Sequence, residues 1–192
     1  MKVNSTKLIA RVTTGDDIPQ EDYRHVAFIG RSNVGKSSVI NLIAQKKDLA
    51  KSSSTPGFTK SINFYLINKN FYLVDLPGYG YAQGSFKERE RLQQLIEWYL
   101  TYPDLEEKQL IVLIIDAKVG LTENDEQMLI LLRELNKRVV VIANKIDKLK
   151  KNDVKKQVAA IVKASEPYLV IPFSAHDKIG TPALIKEIFT NG

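Results

Sequence analysis

The sequence predicts a doubly wound α/β sheet with one antiparallel edge, on three observations. Near-continuous Val/Ile/Leu runs of strand length, such as 110–116 (LIVLIID) and 139–144 (VVVIAN), read as parallel strands covered on both faces. Segments of helical period alternate with them, which is the pattern of βαβ units. Two short strands, 62–68 (INFYLIN) and 71–76 (FYLVDL), are separated by Lys69 and Asn70 and read as an antiparallel hairpin.

Taken in order, the first buried strand is His25 to Gly30 (HVAFIG), followed by a helix over 36–45 with Val39, Ile40, Leu42 and Ile43 facing inward. A Ser/Thr/Pro/Gly loop at 52–59 leads into the hairpin. A helix over 86–102 carries Leu92, Leu95, Ile96 and Leu100 on one stripe. Strand 110–116, helix 122–136, strand 139–144, helix 151–164, strand 168–174 and helix 181–190 complete the alternation. Residues 7–13 (KLIARVT) add a short strand. With 192 residues, 44% of them hydrophobic, the chain suffices for one well-buried core, and a single domain over 1–192 is expected.

The chain has no cysteine, which excludes disulfides and thiolate metal sites and points to a reducing compartment. Its N-terminal stretch has no continuous apolar run of a signal peptide, and no segment reaches the length of a membrane span. A cytoplasmic protein without membrane attachment is expected. The formal net charge of +6 is unevenly spread: seven Lys (145, 148, 150, 151, 155, 156 and 163) face Asp147 and Asp153 between positions 145 and 163. Such a run is either a solvated helix face or a surface for a phosphate backbone.

Chemistry enters at Gly30–Ser38 (GRSNVGKSS), which matches G-x-x-x-x-G-K-[ST] between a strand and a helix. Glycine lets successive N–H groups turn toward phosphate oxygens, and the helix N-terminus adds a favourable potential. Gly30, Arg31, Ser32, Asn33, Val34, Gly35, Lys36, Ser37 and Ser38 form this candidate phosphate loop. Lys36 would neutralise β/γ oxygens and the Ser37 hydroxyl would ligate Mg²⁺. Asp75, ahead of Leu76, Pro77 and Gly78, stands where an aspartate holds Mg²⁺, usually through water, in such sites. Without the phosphate loop, this segment would read only as a turn.

The base is read from Asn144, Lys145, Ile146 and Asp147 (NKID). An aspartate there accepts from both N1–H and the exocyclic amine of guanine, whereas adenine offers neither donor. A buried carboxylate left unpaired discriminates strongly. Asn144 would reach N7 or O6 and tie loops together, and the Lys145 stem would pack along the base plane. Phe173, Ser174 and Ala175 (FSA) follow the last strand and could place backbone groups at O6. As an alternative, Asp147 could simply cap the next helix, but this leaves Asn144 and Lys145 unexplained.

The segments GRSNVGKSS, TPGFTKSINFY, DLPGYGYA, NKID and FSA together closely resemble the EngB family (also YihA or YsxC) of bacterial GTPases, in the group that includes Era and TrmE. The resemblance spans nearly the whole chain. It implies a three-layer Ras-like G domain that binds GTP and GDP with Mg²⁺, acts in large ribosomal subunit assembly, and is linked to normal division and septation. It also implies a monomer whose partner is the large ribosomal subunit, its rRNA and proteins, rather than DNA or a membrane. By position, Gly57, Phe58, Thr59, Lys60 and Ser61 correspond to the first switch. Thr59 then resembles the threonine that ligates Mg²⁺ beside the γ-phosphate, with Thr55 as its competitor. Phe58 departs from the polar residue of many relatives.

In Ras-type sites a Gln after the Gly of this motif orients the attacking water. Here the position is Tyr79, whose phenol lacks a carboxamide's paired donor and acceptor, so slow intrinsic turnover is expected. Two substitutes follow from the resemblance. Asn33 lies where TrmE has a potassium-binding Asn, and K⁺ there would stabilise developing charge; ordinary loop chemistry explains the same Asn. Otherwise the ribosome completes the site. Gly78 N–H would sense the γ-phosphate either way, and Tyr79 and Tyr81 read as docking residues or as aromatics packed on the domain itself. The basic 145–163 stretch, with Lys2, Lys7 and Arg11, supplies candidate RNA contacts. A small-molecule kinase would need a lid and an acceptor pocket that the sequence lacks. A GTP-binding module with negligible hydrolysis remains the alternative.

Overall fold

The structure is a computed structural model, and it describes residues 2–13, 18–19, 21–50, 61–80 and 85–190. Twelve elements follow one another: β1 (Thr6–Val12), β2 (Arg24–Gly30), α1 (Lys36–Ile43), β3 (Ile62–Ile67), β4 (Phe71–Asp75), α2 (Phe86–Leu100), β5 (Gln109–Asp116), α3 (Glu123–Glu134), β6 (Val139–Asn144), α4 (Lys151–Ser165), β7 (Leu169–Pro172) and α5 (Thr181–Thr190). They form a seven-stranded sheet in the order β1-β3-β4-β2-β5-β6-β7. β3 pairs antiparallel with both β1 and β4, and the remaining pairs are parallel. The sheet and its antiparallel edge are as the sequence predicts, and the 7–13 strand is real.

Alternation along the central strands explains why helices cover both faces. In β2, Val26 and Phe28 join a cluster with Val39, Ile40 and Ile43 of α1 and Leu184 and Ile188 of α5. Ala27 and Ile29 point the other way, into a cluster with Leu95, Ile96 and Tyr99 of α2, Met128, Leu129 and Leu132 of α3, and Ile161 of α4. All eight residues of β5 are buried, which is why that run shows no polar alternation.

Boundaries differ from the sequence expectation where local chemistry ends an element early. α1 stops at Ile43 because Gln45 takes φ +50°. The hairpin turns on Asn68 and Lys69, both at positive φ, with Asn70 N–H donating to Ile67 O at 2.9 Å. The turn therefore sits one residue earlier than Lys69–Asn70. β7 is four residues long at an edge and ends on Pro172, whose lack of an N–H an edge strand tolerates; Phe173 N–H still donates to Ala143 O beyond it. No helix among the described residues is long and apolar enough to cross a membrane.

Candidate functional site

Parallel topology delivers the motif residues to one rim. Gly30, Asp75, Asp116 and Asn144 end β2, β4, β5 and β6, and Phe173–Ala175 follow β7, so all of them lie at the carboxyl ends of neighbouring strands, where α/β sheets bind ligands.

The phosphate loop runs from Gly30 into α1. Gly35 takes φ +96°, and a Cβ there would lie 2.6 Å from Asn144 Nδ2, so both backbone conformation and space demand glycine. Lys36 is buried, and its ammonium pairs with the Asp75 carboxylate, itself 2% exposed. The sequence assigns Lys36 to the β/γ-phosphate oxygens and Asp75 to Mg²⁺, usually through water. In this structure they neutralise one another. Gly78 closes over the same loop: a Cβ on it would lie 3.2 Å from both Ser32 N and Ser32 Oγ. Leu76 and Pro77 are buried behind it, with Leu76 N–H donating to Phe28 O at 3.1 Å.

For a metal, the hydroxyl of Ser37 and the carboxylate of Asp75 are hard oxygen donors suited to Mg²⁺. Among the described residues no group of three or more His, Cys, Asp or Glu could hold an ion. An all-protein cage is therefore absent there, and the donor set fits an ion completed by phosphate oxygens and water, as Mg²⁺ prefers. Gly57, Phe58, Thr59 and Lys60, and the competing Thr55, lie outside the described residues, as do Tyr81 and Ala82. Ser61 is described, and its hydroxyl donates to Asn63 Oδ1 at 3.1 Å.

The candidate base-reading loops are tied together by side chains. Asn144 is 1% exposed, its Nδ2 donating to Val34 O at 2.8 Å and its Oδ1 accepting from Ala175 N–H at 3.2 Å. The expected tie between loops is present, and it engages the N–H of Ala175 that the sequence assigns to O6. Lys145, at φ +66°, donates through Nζ to Asn33 O at 2.5 Å and Asp116 Oδ2 at 2.6 Å. Its ammonium is thus held by the phosphate loop and β5. Asp116 is a residue the sequence reading missed; its only signal was its place at the end of a buried strand. Asn33 takes φ +68° with its side chain exposed.

Ser174 is fully buried, and its hydroxyl donates to Asp147 Oδ1 at 2.7 Å while accepting from Asp177 N–H at 3.0 Å. Burial alone would raise the Asp147 pKa. The Ser174 bond, Asp147's own backbone N–H and the Lys148 ammonium overcome that and hold it below the usual range. Asp147 is therefore an acceptor at neutral pH. Phe173 is a core side chain, 0% exposed, and acts through its backbone: its N–H donates to Ala143 O at 2.9 Å and its O accepts from Ile146 N–H at 3.2 Å.

Tyr79 turns inward, not outward as a docking residue. It is half-buried against the core, bridges in parallel to Arg31, and donates its hydroxyl to Asp125 Oδ1 at 2.7 Å. The basic residues divide as well. Lys145 is committed to Asp116, whereas Lys148, Lys150, Lys151, Lys155, Lys156 and Lys163 are exposed on or before α4. Lys2, Lys7 and Arg11 are exposed on or before β1, at the other edge of the sheet, six strand spacings or roughly 29 Å from β7.

Residues 25–145 match the family described as 50S ribosome-binding GTPase, and residues 101–191 match the elongation factor Tu GTP-binding domain. A probable GTP-binding protein EngB of Clostridium perfringens is 40% identical over 192 residues, covering 98% of this chain and 96% of its own. Its counterpart in Kosmotoga olearia is 39% identical over 191 residues, covering 97% and 98%. The crystal structure of a probable GTP-binding protein engB superimposes with a TM-score of 0.71 at 28% identity, over 86% of this chain and 97% of that one. A point variant of Aquifex aeolicus Era, solved with GDP and AlF4⁻, superimposes with a TM-score of 0.73 at 26% identity, over 88% of this chain and 56% of that one. The sheet is that of a Ras-like G domain.

Proposed function

Because the chain belongs to the EngB family of GTP-binding proteins, within the 50S ribosome-binding GTPases, we propose that it is a GTP-regulated switch in assembly of the large ribosomal subunit. The observation that carries this is the convergence of the phosphate loop, Asp75–Gly78 and the Asn144–Asp147–Ser174 set on one rim. In the proposed cycle the phosphate loop and Lys36 bind the phosphates, Lys36 leaving Asp75 to do so. Asp147, held ionised by Ser174, reads N1–H and the amine of guanine, and the second N–H of Asn144 Nδ2 is available to the base. Ser37 and Thr59 would hold Mg²⁺, with Asp75 acting through water; the ion would neutralise charge between the β- and γ-phosphates. Gly78 N–H would sense the γ-phosphate, and a partner would read the ordered switches.

The family is one of GTPases, and slow unaided hydrolysis follows from Tyr79. With its hydroxyl given to Asp125, no side chain at that position orients water. K⁺ beside Asn33 or a group from the ribosome would complete the site. The family's description as 50S ribosome-binding supports the large subunit, and one structural neighbour, Era, has been solved with MgGDPNP and nucleotides 1506–1542 of 16S ribosomal RNA, which supports ribosomal RNA as the kind of partner. The exposed lysines of α4 are the proposed RNA contact. We place the protein in the cytoplasm as a single-domain monomer, with its link to division and septation running through ribosome supply.

The test is GTP turnover in K⁺ buffer with and without purified large ribosomal subunits, the subunit-free assay being repeated in Na⁺. Slow turnover accelerated by subunits is expected. Turnover that stays slow under every condition would favour the second reading, a GTP-binding module released by something other than its own hydrolysis, which the engaged Tyr79 hydroxyl keeps open.

A further inference from the structure

Asp125, in the first turn of α3, is fully buried, yet no motif of the nucleotide site includes it. Its carboxylate gathers donors from three parts of the chain: Arg31 Nε at 2.9 Å, Tyr79 Oη at 2.7 Å, and Thr122 N and Oγ1 at 3.0 and 2.9 Å. Arg31 belongs to the phosphate loop and Tyr79 directly follows Gly78. Burial, then the charge of Asp125, then the bond to it raise the Tyr79 pKa well above the usual phenol value, so the hydroxyl remains a donor. A second contact seats the same segment on α3. Gly80 takes φ +68°, and a Cβ on it would lie 2.9 Å from Asn124 Nδ2.

We infer that Asp125 and Tyr79 form a latch that positions Gly78 for the γ-phosphate, making Tyr79 a positioning residue that sets preference for the triphosphate over the diphosphate. The geometry gives the direction. The segment from Asp75 to Tyr79 is fixed at one end by β4 and at the other by Asp125, and between these anchors Gly78 rests against Ser32 of the phosphate loop. Without the anchor at Tyr79, the chain around Gly78 is free to leave the loop, and its N–H no longer waits where a third phosphate would meet it. A diphosphate makes no such contact and is indifferent. The inference rests on the reading that Gly78 N–H meets the γ-phosphate.

Tyr79→Phe removes one hydroxyl and leaves Asp125 with Arg31 and Thr122, so the fold is retained. The test compares binding of GDP and of a non-hydrolysable GTP analogue, with Mg²⁺, to the full-length wild type, Tyr79→Phe, Asp125→Asn and the double variant. In Tyr79→Phe the analogue should weaken about tenfold, as for loss of a hydrogen bond to a charged group, while GDP stays within about twofold. Asp125→Asn keeps an oxygen that can accept from Tyr79 but loses its charge, so it should shift the ratio less than Tyr79→Phe, and the double variant should discriminate no worse than Tyr79→Phe alone, since both act on one interaction. A change of less than about threefold in the analogue-to-GDP ratio, equal weakening of both, or tighter analogue binding would overturn the latch. A merely structural Tyr79 would lower Tm and leave the ratio unmoved. Failure of the wild type to bind either nucleotide would count against the nucleotide-site reading itself.

Discussion

Asn144 donates to the carbonyl of Val34 across 110 positions of sequence, at 2.8 Å and with 1% of its surface exposed. The loop proposed to read guanine and the candidate phosphate loop are thereby one unit, which Ala175 N–H joins from the other side of the same amide. Asn144→Ala should therefore act on both stability and binding. It strands the buried Val34 carbonyl and the half-buried Ala175 N–H, a loss of ~2 kcal/mol. The urea midpoint should fall at constant m-value, and GDP affinity should fall with it. Retained stability with retained affinity would contradict the tie.

Asp147 offers two acceptor oxygens, one of them already held by Ser174. Asp147→Asn exchanges that acceptor for an amide that can donate. GTP should weaken roughly a hundredfold, because two donors of guanine lose an ionised acceptor. Xanthine nucleotides, with a carbonyl in place of the amine, should gain. Competition of GTP and XTP for the variant measures this directly, and undiminished GTP preference would remove Asp147 from base recognition.

His25 is 1% exposed, ringed by Phe64, Tyr72 and Tyr99, with Nδ1 3.2 Å from the Tyr99 hydroxyl. Burial, reinforced by the Lys108 charge, lowers its pKa to about 4 from 6.5. Since the unfolded chain binds this proton more readily, the contribution of His25 is fully present above pH 6.5 and is lost as pH falls toward 4. Full loss corresponds to ~3 kcal/mol by linkage. Urea titrations from pH 7 downward should show this slope in the wild type, and a flatter one in His25→Phe; parallel slopes would refute it.

The lysines of α4 and those of β1 lie at opposite edges of the sheet, so they cannot serve as one patch. Reversing Lys151, Lys155, Lys156 and Lys163 to Glu should weaken association with large subunits. Each lost phosphate contact should flatten its salt dependence by about 0.7–0.9 in log–log slope. GDP binding should not change. Reversing Lys7 and Arg11 should act independently, and unchanged subunit binding in the α4 variant would sink the RNA assignment there.

By itself the sequence determined the doubly wound sheet, because Val/Ile/Leu runs between helical periods have few other ways to bury both faces. It also located the candidate phosphate loop and the candidate guanine pattern, because Gly35, Lys36, Asn144 and Asp147 carry their proposed chemistry in residue type and short spacing. Tertiary structure alone decided what each side chain does with its neighbours. Asp116 meets Lys145, Ser174 orients Asp147, and Asp125 collects Arg31 and Tyr79 from positions 94 and 46 residues away. No local pattern encodes those meetings. Tyr79 shows the limit most plainly: an aromatic beside a loop glycine suits an outward docking residue equally well. Only the buried carboxylate of α3, brought beside it by the sheet, turns its hydroxyl inward.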